Sequence, residues 1–156
     1  MQDPDPTQAA RPVLWAGRSR EHWLLLLLAA GAVGGLLVLG LALKPDARGV
    51  GTHEQLGLRP CLPMQLWRVP CPGCGVTTSV TLAMQGRFWE AFRNQPFGFA
   101  VWLAVLAFVG WALTGQLRGR DLWVDLQAWR SRPWLWAGGV IAVVSWIYKI
   151  WLVRAS

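Results

Sequence analysis

The sequence predicts an all-α integral membrane protein: three transmembrane helices, with a cysteine-containing, partly membrane-embedded helical loop between the first and second. Three observations carry this. Hydrophobic residues make up 54% of the chain and charged residues 15%, against about 45–50% and about 25% in soluble domains. The apolar residues are gathered into three blocks, with the charges packed between them. Twelve tryptophans accompany the blocks, and indole rings favour the boundary between hydrocarbon and water.

The first block, 23–43, is uncharged and ends at Lys44-Pro45. At 1.5 Å per residue it spans about 30 Å, the thickness of the hydrocarbon core. The apolar core of a cleaved signal peptide is shorter, about 7–15 residues, and precedes a small-residue site that Leu41-Ala42-Leu43 does not supply. The block is therefore read as a retained helix, preceded by a polar, disordered tail (1–22). The second span covers 97–113, opened by Pro96 and closed by Gly115. The third covers 134–153, with Pro133 before it. Lys149 lies within a turn of its end, and the expectation there is a side chain that snorkels to the interface. Between the last two spans (114–133), Leu122, Trp123, Leu126 and Trp129 recur at helical spacing with arginines at both ends, the pattern of an interfacial amphipathic helix. Gly31 with Gly35, and Gly138 with Ala142, form small-xxx-small pairs that suit close helix packing in lipid.

The net charge of +7 lies in arginines that flank apolar blocks, so it speaks for headgroup contacts and topology rather than nucleic acid. Arg11, Arg18, Arg20, Arg118, Arg120, Arg130 and Arg132 face Lys44, Arg48, Arg59, Arg68, Arg87, Arg93 and Arg154 across the bilayer. Density breaks this tie, because the loop that carries most of the second set is long. The positive-inside rule then puts the N-terminus in the cytoplasm and the cysteine loop outside. Three short helices without midplane charges or an internal repeat do not suit a transporter.

The loop (44–96) is too polar and proline-rich to span the bilayer and too apolar to be a free linker. Pro70-Cys71-Pro72-Gly73-Cys74-Gly75 must be a turn, and helical character resumes after it. Val76, Val80, Ala83 and Met84 share one face, Thr77 and Thr81 another, and Gly86 is a natural cap. A second short amphipathic helix with Phe88, Ala91 and Phe92 leads to Asn94-Gln95-Pro96. The turn thus opens a helix, where backbone N–H groups and the helix dipole favour a thiolate.

Three chemistries fit. Cys61, Cys71 and Cys74 with His53 form the ligand set of a closed tetrahedral zinc site, and Cys-x-x-Cys supplies its close pair. Alternatively, Cys71 and Cys74 form an exchangeable disulfide with a lowered thiol pKa, although no βαβ pattern accompanies them. In the third case a static disulfide or reduced turn only fixes the loop. Asp46, Glu54 and Glu90 show no acid–base pairing, and a helix cap and packing account for Thr77, Thr78, Ser79 and Thr81. Function at this level is a binding or scaffold component whose loop contacts a partner protein, lipid or a second copy; the alternative is a zinc-binding or thiol-redox membrane protein.

The residues 51–58 (Gly-Thr-His-Glu-Gln-Leu-Gly-Leu), Pro60-Cys61, Cys71-Pro72-Gly73-Cys74-Gly75-Val76-Thr77-Thr78-Ser79, Gly86-Arg87 and Gln95-Pro96-Phe97-Gly98 resemble one family, the small bacterial membrane proteins known as domain of unknown function 2752. The resemblance covers 51–113, and Cys-Pro-x-Cys-Gly-x-Thr is its mark. Members of that family carry Arg where this chain has Thr78, so a role resting on that arginine does not carry over. The resemblance implies a helical protein of the bacterial inner membrane with the motif beside the bilayer, and implies no activity.

Overall fold

A computed structural model describes residues 18–128 and 132–155; residues 1–17 of the tail expected to be disordered, and Trp129 of the expected interfacial helix, lie outside them, while the last residues of that expected tail, from Arg20 to the fully buried His22, belong to the first helix. Among the described residues every regular element is helical. In chain order these are α1 (Arg20–Leu41), a 3₁₀ turn (Thr52–Leu56), α2 (Leu62–Trp67), α3 (Val76–Met84), α4 (Phe88–Asn94), α5 (Pro96–Leu117), α6 (Leu122–Ala128) and α7 (Arg132–Ala155). Helices α1, α5 and α7 are long and apolar enough to cross a membrane, and only 11% of each spanning window is buried inside the chain. Most of their apolar surface therefore faces outward, where lipid is the solvent that suits it.

Each span starts and stops for a local reason. Ser19 caps α1, its side chain accepting from the His22 N–H at 3.2 Å. Pro96 opens α5, where a missing N–H costs nothing. Gly115 does not close α5 as the sequence predicts: the helix runs on to Leu117, and the positive-φ residue that ends it is Gly119 (φ 69°). Gly115 instead gives room to Leu122, the first residue of α6, whose side chain it packs against. Leu122 is fully buried and clusters with Ala29 and Ala112, so α6 is pinned to α1 and α5 by one face rather than lying free on a surface.

Helix α3 packs on the outgoing end of α1, and α3 and α4 together on the incoming end of α5. Thr78 to Ala83 are all buried, so α3 is enclosed on more sides than its two-faced pattern implies. The close helix approaches are at Gly40, where an added Cβ would come within 2.9 Å of the Met84 Cβ, and at Gly98, which meets Val76 and Ser79 at the same distance. Gly31, Gly35 and Gly138 have open space around them, so the small-xxx-small pairs do not pack helices within this chain.

Candidate functional site: a three-thiol cluster under the loop

The turn that the prolines and glycines dictate is held by its own backbone. The Cys74 N–H donates to the Cys71 carbonyl at 2.9 Å, and the Val76 N–H to that of Gly73 at 3.2 Å. Gly75 then takes φ 88° as the N-cap of α3. It has to be glycine on two counts, the left-handed conformation and the Gly49 carbonyl only 2.9 Å from where a Cβ would stand. This geometry puts the two sulfurs of the pair side by side, 3.2 Å apart, and the Cys71 N–H donates to the Cys74 sulfur at 3.3 Å. Gly73, at the apex, would bring a Cβ to 4.0 Å from the Cys71 sulfur.

Cys61 reaches the same point from another element, the N-cap position of α2. The sulfurs of Cys61, Cys71 and Cys74 all lie within 4.8 Å of one another, and all three cysteines are free thiols. A tetrahedral zinc–thiolate site has Zn–S bonds of about 2.3 Å and hence sulfurs about 3.8 Å apart. The Cys71 and Cys74 sulfurs, at 3.2 Å, lie about half an ångström inside that value, so the three residues fit such an ion after a small opening of the pair. His53, on the 3₁₀ turn, is not part of the three-sulfur cluster. It lines the same cavity of about 580 Å³, together with Arg48, Glu54, Cys61, Met64 and Cys74.

The thiols differ in their surroundings. Burial pushes the Cys74 thiol well up, and the adjoining sulfurs of Cys71 and Cys61 add to this. Burial acts on Cys61 in the same direction, but the Met64 N–H and the sulfurs of Cys74 and Cys71 outweigh it, and its net shift is downward. Cys74 is thus not an activated thiol. The helix terminus does not overcome its desolvation.

Around the cluster the loop is tied down by buried polar contacts. The Thr52 and Thr78 hydroxyls share a hydrogen bond at 2.8 Å, and the Asp46 N–H donates to Thr52 Oγ1 at 3.0 Å. Asn94 Nδ2 donates to the Gly75 carbonyl at 3.1 Å and to Ser79 Oγ at 3.0 Å. Trp146 Nε1, on α7, donates to the Pro70 carbonyl at 2.8 Å. Gln95 is fully buried and its Nε2 reaches the Pro72 carbonyl at 3.5 Å, while its Oε1 finds no partner. Pro96 begins α5 behind it, and Thr77 is half-buried on the first turn of α3.

Sequence reasoning missed Lys149. The expectation was a side chain that snorkels to the interface; the structure leaves it 1% exposed. Its ammonium donates to the Gly49 carbonyl (3.1 Å), the Asn94 carbonyl (3.2 Å) and Asn94 Oδ1 (2.8 Å). The loop folds over the end of α7 and offers these acceptors closer than the headgroups could. A charge in an otherwise uncharged stretch of a span was the available signal, since such residues are functional candidates by default.

No curated protein and no solved structure matches this chain. Residues 61–109, which run from the first cysteine through the turn and into α5, match the family described as "Protein of unknown function (DUF2752)".

Proposed function

We propose that this is a metal-binding membrane protein, in which Cys61, Cys71 and Cys74 hold one zinc ion as thiolates and the helical loop serves as the housing of that centre. The observation that carries the proposal is the convergence of Cys61, from the start of α2, onto the Cys71–Cys74 pair. A turn that needed only to be rigid has no use for a third sulfur brought in from ten positions upstream. Burial raises the Cys74 thiol, and a metal bound there would deprotonate it outright as a ligand. His53, which lines the same cavity, is the candidate for the fourth ligand. The positive-inside rule supports a cytoplasmic N-terminus with the centre on the outer face of a bacterial inner membrane.

The test is metal analysis of the chain purified in detergent. About one zinc per chain is expected, as the ligand count of a structural site requires, and it is lost in Cys61→Ser as fully as in Cys71→Ser. Retention of metal in Cys61→Ser would overturn the three-thiolate centre. Absence of metal, with all three thiols open to labelling, would leave a loop that docks a protein, a lipid or a second copy.

A further inference from the structure

We propose that Lys149 is the built-in counter-ion of the thiolate centre, a positioning residue that selects for an anionic metal site; this rests on the metal-binding reading above. Taking an ammonium out of water is costly unless it meets hydrogen bonds and an opposite charge. Lys149 has the first in full, with three acceptors between 2.8 and 3.2 Å, but all three are neutral. No carboxylate among the described residues pairs with it: the acids in ion pairs, Asp46, Glu54, Glu90 and Asp125, face Arg48, Arg87 and Arg120.

What the ammonium does face is the cysteine turn. Its Nζ and Cε pack 3.2 Å from the point where a Cβ on Gly75 would stand, and its Nζ lies as close to that of Gly49. Gly75 directly follows Cys74 in that turn, so the ammonium packs against the residue that adjoins the buried thiol. A dication with three thiolates keeps one net negative charge, and a neutral imidazole from His53 leaves that unchanged. The buried cation and the partly buried anionic centre thus complete each other. Each alone would be an uncompensated charge in a low dielectric.

The centre draws on the third span through this lysine, whereas its ligands all come from the loop between the first two. Gly49 and Gly75 have the same cause. Both bear positive φ, 69° and 88°, and both turn a bare Cα toward the ammonium, which clears the space a lysine tip needs.

The experiment compares Lys149→Gln, which keeps a hydrogen-bond donor and drops the charge, with Lys149→Arg, which keeps the charge. Zinc affinity is read by chelator competition on the full chain in detergent, and thermal unfolding is recorded with and without zinc. Lys149→Gln should weaken zinc by about ten- to a hundredfold, the usual effect of removing an outer partner of a metal site, and shrink the zinc-induced rise in Tm. Lys149→Arg should keep affinity within a few-fold. A purely structural lysine would instead lower both melting curves equally and leave affinity unmoved, which would overturn the proposal. Should Lys149→Gln fail to fold, Asn94→Asp neutralises the ammonium in place and should also weaken zinc; unchanged affinity there overturns the proposal as well. Wild-type chain that binds no zinc at all refutes the metal-binding reading, a result distinct from wild-type binding that Lys149→Gln does not alter.

Discussion

At the scale of single residues, the molecule depends on glycines that stand where two backbones nearly touch. Gly98 lets α5 cross α3 so closely that a methyl group would come within 2.9 Å of both Val76 Cα and Ser79 Cβ. Neither is the flexible end of a side chain, so the helices themselves would have to part. Gly98→Ala is expected to destabilise the chain by about 1–3 kcal/mol, the ordinary cost of overpacking, measured by denaturation in detergent. Gly31→Ala, which meets open space, serves as the neutral control. The sequence holds both glycines in apolar surroundings with nothing to tell them apart, because a contact across α3 and α5 depends on how the loop folds back. The cysteines were more legible. The pair and its turn follow from two prolines and two glycines in six residues, and Cys61 was a candidate from residue type alone. Lys149 was not, since its acceptors at positions 49 and 94 come together only in the fold.

Among the elements, the 3₁₀ turn and α3 are joined by a contact that the hydroxyl-rich sequence of α3 hides among its neighbours. Thr52 and Thr78 are both buried and bond to each other, and Thr52 also takes the Asp46 N–H. Removing one partner of a buried pair strands the other, at about 1–3 kcal/mol, while replacing both can be close to neutral. Thr78→Val should therefore destabilise, Thr52→Val should cost more because it also orphans the Asp46 N–H, and the double variant should fall well short of their sum. Additive losses in that cycle would mean the hydroxyls do not act as a pair. Helix existence was readable throughout, from the apolar blocks and from Gly86, which ends α3 at φ 79°. The end of α5 was not. Gly115 resembles a C-cap in sequence, but α6 returns to bury Leu122 against it, and tertiary packing overrides the local signal.

On the whole-molecule scale, the spans are joined chiefly at their two ends. At one end, Arg18 donates to Gln116, His22 Nε2 stands 3.1 Å from the Gln116 side-chain oxygen, and its Nδ1 accepts the Leu122 N–H at 3.1 Å. Asp121 takes the Ser19 N–H there at 3.0 Å, which holds its carboxyl below the usual range. At the other end, Gln85 donates to the Gly40 and Leu43 carbonyls, Tyr148 to that of Arg93, and Lys149 to the loop. The start of α1 and the α5–α6 connection thus share one end, and the cysteine loop shares the other with the end of α7. Because α1, α5 and α7 are each long and apolar enough to cross the bilayer, the two ends lie on its opposite sides. On the orientation proposed above, from the positive-inside rule, the first end is the cytoplasmic one. In a chain whose native cysteines are replaced by serine, Leu58→Cys should react with an impermeant maleimide on bacterial spheroplasts, and Gln127→Cys should react only after lysis. The reverse pattern would invert the orientation and put the thiol centre in the cytoplasm. Labelling of both positions from one side would break the three-span path, because no route through α1, α5 and α7 brings residues 58 and 127 to the same face.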